Sequence, residues 1–150
     1  MRVIVQRVSK ASVEVNNNIV SSIASGLLVL VGFEQDEKIE DLEWISKKII
    51  SLRVFQDKQN KMNLSVSDIE GEILVVSQFS LHSLVKKGNR PSFVKACNYL
   101  EAQDLYNRLI KIIKQSFKGN VREGVFGADM KISSVNNGPL TFFIDTKNKE

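Results

Sequence analysis

Gly26-Leu27-Leu28-Val29-Leu30-Val31 reads as a β-strand with no polar side. A strand with one face in water alternates apolar and polar residues, because successive side chains point to opposite faces. Here both sets are aliphatic, so the strand must be covered on both faces and lie centrally in its sheet. Glu72-Ile73-Leu74-Val75-Val76-Ser77-Gln78-Phe79, after Gly71, predicts a second buried strand that ends in a polar mouth.

The flanking chain supplies partners for these strands. Residues 2–8 (RVIVQRV) and 11–15 (ASVEV) are short and β-branched, and Asn16-Asn17-Asn18 provides a turn into a further strand over residues 19–24. Asp36 is placed to cap a helix whose Ile39, Leu42, Ile45, Ile49 and Leu52 form one apolar stripe. Residues 57–67 are polar and turn-like, and residues 83–91 (SLVKKGNRP) read as an exposed basic loop. A second helix follows, with Leu105, Leu109, Ile112, Ile113 and Phe117 on its apolar face and Gly119 as its C′ residue. Lys111, Lys114 and Lys118 fall on its solvated side.

From Val121 strand character returns, and Phe126-Gly127-Ala128-Asp129-Met130 interrupts it. Gly127 there suggests a bulge or the close approach of another group. Residues 140–145 then pair back as the last strand, and residues 146–150 form a polar tail expected to fray. Roughly eight strands and two helices make the class α+β. The expected architecture is a set of curved, antiparallel-rich sheets forming a barrel-like core, with the two helices packed on one side. No repeat or linker divides the chain, so residues 1–150 form a single domain.

Composition narrows the setting. At 43% hydrophobic over 150 residues the chain can bury one core. The longest apolar run, residues 26–33, is shorter than the ~18 residues a membrane span needs. With no signal-like segment at the start, a cytoplasmic protein with no membrane partner is expected. Cys97 is the only cysteine, in keeping with a reducing compartment. The net charge of +4, from 21 basic and 17 acidic residues, permits an RNA partner without demanding one.

Counting also removes whole classes of chemistry. One histidine, His82, and one cysteine, Cys97, cannot complete a zinc site. His82 lies among Leu81, Ser83 and Leu84, where an exposed or half-buried histidine without a catalytic role is the simpler reading than a triad member. Cys97 has no histidine near it in sequence and reads as a packing residue. No phosphate-binding glycine loop is present, so no metal and no cofactor are called for. Any catalysis must rest on main-chain groups, hydroxyls, amides or the substrate itself.

Two stretches could supply such groups. Ser77-Gln78-Phe79-Ser80-Leu81 is either a satisfied turn or an oxyanion-type site, with backbone N–H groups and a hydroxyl facing developing charge. Val135-Asn136-Asn137-Gly138-Pro139-Leu140-Thr141 is either a hairpin loop or a rigid tip offering carbonyls and bare Cα surface.

Together, SQFSL at 77–81 and NNGPLT at 136–141 resemble the D-aminoacyl-tRNA deacylase family, whose signatures read S-Q-F-T-L and N-x-G-P-x-T. Gln6-Arg7-Val8, Lys61-Met62-Asn63-Leu64-Ser65-Val66, Lys87-Gly88-Asn89-Arg90-Pro91-Ser92-Phe93 and Gly124-Val125-Phe126-Gly127-Ala128-Asp129-Met130 extend the similarity over essentially the whole chain. Ser80 departs from the usual Thr but keeps the hydroxyl.

The resemblance implies hydrolysis of the ester joining a D-amino acid, or glycine, to the terminal adenosine of tRNA. It implies a homodimer in which Gly138-Pro139, joined by a cis bond, enters the partner subunit's pocket. There the tip's carbonyls would hold the α-amino group and leave no room for an L side chain. Arg7 would brace the tip, Asn136 and Leu81 would belong to the same substrate surface, and Phe126, Gly127 and Met130 would border the terminal adenosine. Water, assisted by the ribose 2′-hydroxyl, would attack the carbonyl, with the N–H groups around Phe79 and Ser80, beside Ser77 and Gln78, holding the oxyanion. A rival version makes Ser80 the nucleophile. Lys86, Lys87 and Arg90 are candidate phosphate contacts. Two other readings stand beside this one: a non-catalytic RNA-binding module, and a deacylase of L-aminoacyl-tRNA with a wider pocket, against which Gln78-Phe79 favours the D-specific type.

Overall fold

The structure is a computed structural model and describes residues 1–149. Val and Ile crowd the first fifteen residues, and β-branching there favours extended backbone. β1 (Arg2–Val15) is a single strand where two were expected. The interruption at residues 9–10 is a bulge, because the register against the last strand slips between Val8 and Lys10. One extra residue exchanges the faces of a strand. Val8 already faces away from Val3 and Val5 by simple alternation, and the extra residue puts Ala11 and Val13 on the side of Val8, in a second apolar cluster. β2 (Asn18–Ile23) returns through Asn16 and Asn17, both at positive φ, as a two-residue hairpin turn requires.

β3 (Gly26–Gly32) pairs antiparallel with β1. β4 (Phe55–Gln56) and β5 (Met62–Leu64) form a small sheet of their own, so the polar stretch 57–67 contains a strand as well as a turn. β6 (Glu72–Ser77) lies parallel to β3, and β7 (Val121–Glu123) parallel to β6. β8 (Lys131–Asp145) runs antiparallel along both halves of β1. The main sheet is thus mixed, antiparallel around β1 and parallel from β3 to β7. It curls towards a barrel: the Ser21 hydroxyl on β2 donates to the Glu123 carbonyl on β7.

Both faces of the central strands are covered. Leu27, Val29, Val31, Ile73 and Val75 pack beneath α1 (Ile39–Ser51) and α2 (Tyr99–Ser116), meeting Leu42, Ile45, Ile49, Leu109 and Ile113. Leu28, Leu74 and Val76 point the other way, into the curl, against Val8, Ala11, Val13 and Ile23. Each fully buried aliphatic side chain contributes about 1.5–3 kcal/mol.

Four local expectations are corrected. Asp36 does not cap α1: it has φ 61°, outside the extended region a cap occupies, and Lys38 holds the N-cap position without a side-chain bond. Leu52 is the C-cap and still packs against the core, whereas Ile39, expected on the same stripe, is exposed. α2 is capped reciprocally, the Asn98 Oδ1 accepting from the Glu101 N–H at 3.0 Å and its Nδ2 donating to Glu101 Oε2 at 2.9 Å. Phe117 is its C-cap, which puts Gly119 one position beyond C′. Tyr106 and Ile110 join its buried face. Thr146 in the tail is buried, its N–H donating to the Met1 carbonyl at 3.0 Å, so fraying does not begin there; Glu150 lies outside the described residues. Among the described residues no helix is long and apolar enough to cross a membrane.

Cover on both faces makes Leu27 and Leu28 equivalent energetically. Leu27→Ala and Leu28→Ala are each expected to cost about 2–5 kcal/mol in urea unfolding. A Leu28→Ala cost below about 0.5 kcal/mol, the range of ordinary surface substitutions, would mean that the second face is open.

Candidate active site

Because β3 and β6 are parallel, their carboxyl ends emerge together, and clefts off the carboxyl ends of such strands are where ligands bind. A cavity of about 530 Å³ opens at that place, a size suited to a small-molecule ligand. Val31 and Gly32, followed by Phe33, line it from β3; Val76 and Ser77 line it from β6, with Gln78 and Phe79 beyond. The opposite wall is the turn over residues 124–130, through Phe126, Gly127, Asp129 and Met130, together with Tyr99 at the start of α2.

Gly127 lies in this turn and not in a strand bulge. It has φ +73°, and a Cβ there would come within 2.6 Å of the Tyr99 ring, which is the close approach its sequence position suggested. Phe126 stacks its edge on Tyr99 at 5.3 Å and meets Tyr106 at 5.4 Å between ring centres. It packs on the core with one part of the ring and lines the cavity with another. Met130 does the same against the second cluster.

β6 ends at Ser77, two residues before its expected end, and the chain turns into a single 3-10 turn, Phe79–His82. The Gln78 amide Nε2 donates to the Ser80 Oγ at 2.6 Å, and Arg2 donates to the Leu81 carbonyl at 2.9 Å. Ser80 and Leu81 therefore brace the turn and are not part of the cavity lining. The first internal bond of the turn runs from the Leu81 N–H to the Gln78 carbonyl at 3.3 Å. The N–H groups of Phe79 and Ser80 precede it, so the turn itself gives them no acceptor.

The Asn136-Asn137-Gly138-Pro139 stretch is not a hairpin. Gln6 pairs with Thr141 and Val8 with Asn136, so β8 keeps its direction and the intervening residues loop out from within one strand. The Gly138–Pro139 bond is cis. Gly138 has φ +133°, and a Cβ there would sit 3.0 Å from the Arg7 guanidinium, so no other residue fits without strain. Arg7 is buried and holds the loop from beneath. Its Nε donates to the Asn137 carbonyl at 2.9 Å and a terminal nitrogen to the Val54 carbonyl at 2.6 Å. Across the base of the loop the Asn136 side chain accepts from the Leu140 N–H and donates to Thr141 Oγ1, both at 3.0 Å.

Neither Arg7, Asn136, Gly138 nor Pro139 lines the cavity of its own chain, whereas Ser77, Gln78, Phe79, Phe126, Gly127 and Met130 do. Lys86, Lys87 and Arg90 lie on an exposed loop closed by reciprocal backbone bonds between Leu84 and Ser92 at 2.8 and 3.0 Å. Tyr99, Phe93 and the β3 end were not anticipated as lining. Parallel pairing of β3 and β6 is the signal that would have found the last of these, and antiparallel-rich sheets do not suggest it.

The one histidine and the one cysteine are ill suited to catalysis. His82 is fully buried rather than exposed or half-buried; its Nε2 donates to the Gly32 carbonyl at 3.0 Å and its Nδ1 has no partner. Burial holds its pKa below the ordinary 6.5, although the Gly32 bond and Glu34 oppose the shift. Cys97 lines the cavity, but burial first and Glu101 second push its thiol up to about 12, which leaves negligible thiolate near neutral pH.

The D-Tyr-tRNA(Tyr) deacylase family profile matches residues 4–145. The chain belongs to this deacylase family. As a family member it is a hydrolase acting on the ester bond of D-aminoacyl-tRNA. The D-aminoacyl-tRNA deacylase of Flavobacterium psychrophilum is 53% identical over 150 residues, covering the whole of both chains, and that of Bacteroides thetaiotaomicron is 48% identical over the same length. Among solved structures, a c-Myc DNA unwinding element binding protein superposes with TM-score 0.92 at 37% identity, over 97% of this chain and 98% of the other. A probable eukaryotic D-amino acid tRNA deacylase superposes with TM-score 0.82 at 22% identity, over 95% and 97%, a likeness of fold.

Two outcomes follow from the deacylase geometry. Arg7→Lys cannot hold the Val54 and Asn137 carbonyls with one rigid fork. It is expected to lose about 1–3 kcal/mol of stability in urea unfolding and most of the deacylase activity; full retention of both would separate Arg7 from the loop. For His82, the unfolded chain takes up a proton near pH 6.5 and the folded chain resists it, so this residue withdraws stability as pH falls below 6.5. Stability measured between neutral pH and about pH 5 should fall less steeply in His82→Gln than in the parent, and an identical slope would contradict the burial effect.

Proposed function

We propose that the protein performs chiral proofreading, hydrolysing D-aminoacyl-tRNA and glycyl-tRNA while sparing L-aminoacyl-tRNA, as a cytoplasmic homodimer with active sites shared between subunits. One observation carries the reading. Gly138 and Pro139 stand on a braced, exposed loop and take no part in their own chain's cavity, so the surface they would complete belongs to a second copy. β8 supports the same arrangement. Among the described strands it pairs only with β1 and leaves a long edge on which Phe143 is 58% exposed, an edge that calls for cover.

In this reading the partner's Gly-Pro carbonyls take the α-amino group, and the bare Cα surface excludes an L side chain by contact. Phe126 and Met130 border the terminal adenosine, with Gly127 leaving the backbone close to it. Water attacks the ester carbonyl, with the ribose 2′-hydroxyl assisting. The Phe79 and Ser80 N–H groups hold the oxyanion, and the bond to the 3′ oxygen breaks to give free amino acid and tRNA. Main-chain donors suit a cleft whose cysteine stays a neutral thiol and which the one histidine does not line. Ser80 serves by position, since its hydroxyl already accepts from Gln78 and lies off the cavity lining. Lys86, Lys87 and Arg90 meet phosphates of the acceptor end.

Purified protein incubated with D-Tyr-tRNA, L-Tyr-tRNA and Gly-tRNA is expected to release D-Tyr and Gly and leave L-Tyr-tRNA intact. Rapid L-Tyr release would sink the chiral reading, and tRNA binding without turnover would leave a binding module. Ser80→Ala is expected to keep near-parental turnover; a loss of about a thousandfold or more would restore the nucleophile version.

A further inference from the structure

Phe79 and Phe93 are 59% and 40% exposed, and their rings meet edge to face at 4.8 Å between centres with 70° between planes. Both border the cavity, so this apolar pair lies on the rim of the site and is not buried beneath it. Two features surround it. The rings flank the roots of the cationic loop, one on the 3-10 turn before Leu84 and the other directly after Ser92. Lys86, Lys87 and Arg90 on that loop make no ion pair among the described residues. A cavity of about 530 Å³ matches one aminoacylated nucleoside and leaves the preceding nucleotide outside, at the rim.

We infer that the Phe79–Phe93 pair is a stacking platform for the unpaired base immediately 5′ of the terminal adenosine, with the cationic loop following the phosphates. Exposed aromatic faces beside free cations are the combination by which proteins hold single-stranded nucleic acid, and each stacked base improves affinity several-fold or more. The edge-to-face contact fixes both rings before the ligand arrives, so little rotamer freedom is lost on stacking. Val94, Leu100 and Tyr99 continue the exposed apolar surface on the α2 side.

The inference rests on the deacylase reading for the identity of the strand, and two measurements keep the two apart. The first compares hydrolysis of D-tyrosyl esters of adenosine and of the dinucleotide CpA. The parent protein should favour the CpA ester by roughly 5- to 100-fold in kcat/KM. Phe93→Leu, which keeps an apolar side chain without a ring, should bring that ratio towards one, and Phe93→Trp should retain it. The second measures binding of the uncharged oligonucleotide ACCA and of the same oligonucleotide abasic at its penultimate position, by fluorescence anisotropy. The intact strand should bind more tightly to the parent by a similar factor and equally to Phe93→Leu. Raised salt should weaken both strands alike and leave their ratio, because the loop and not the rings answers to counterions. Hydrolysis of both esters at equal rates, or equal binding of the two oligonucleotides to the parent, overturns the platform. A protein that cleaves neither ester yet prefers the intact strand retains the platform and loses the deacylase reading. If it neither cleaves nor prefers, both fall.

Discussion

Parallel pairing of β3 with β6 is the constraint on which the rest depends. Parallel strands cannot be joined by a tight turn, so the chain must cross over one face between them, and that crossing contains α1. Residues Leu27 to Val31 and Ile73 to Val76 are aliphatic on both faces, so the opposite face must also be covered. The curl of β1 and β2 back over it achieves this. The same pairing brings two carboxyl ends together, and the cavity occupies the space between them and the 124–130 turn.

A second constraint is local. β1 and β8 run side by side for nearly their whole length, and any extra residues in one of them must leave the ladder. One residue leaves at Ser9 and exchanges the faces of β1; a longer excursion leaves at Asn137 to Leu140 and becomes the projecting loop. Regular strands on either side make the loop rigid, and Arg7, itself on β1, ties it from within. The turn after β6 and the projecting loop within β8 thus stand on strands that β1 and β3 separate in the same sheet.

Much of this was legible in the residues. Two-faced apolar strands, two amphipathic helices and the lone His and Cys follow from side-chain chemistry and spacing alone, because burial periodicity is written locally. The two signature stretches were legible as polar equipment in apolar surroundings. Position 77–81 did become the cavity wall, although only Ser77, Gln78 and Phe79 face the cavity. Other features were not readable. Asn-Asn-Gly-Pro looks the same in a hairpin as in an excursion from a continuous strand, since both need the same backbone angles. Asp36 looked like a cap because capping is a side-chain preference, and the backbone conformation that forbids it is set by the turn joining Glu34 to α1.

By itself, then, the sequence determined which segments must be buried, which side chains are absent from any mechanism, and which family signatures the chain bears. Tertiary structure decided the direction of each pairing, the burial of His82 and Arg7, and which of the signature residues share a cavity. The reason is the range of the interactions. Hydrophobic periodicity and turn preference act over a few residues and are recorded in order along the chain. The Arg7 bonds to Val54 and Asn137, the His82 bond to Gly32 and the registers of β1 with β8 join residues 47 to 143 positions apart. Only the folded chain brings those groups within a hydrogen bond of each other.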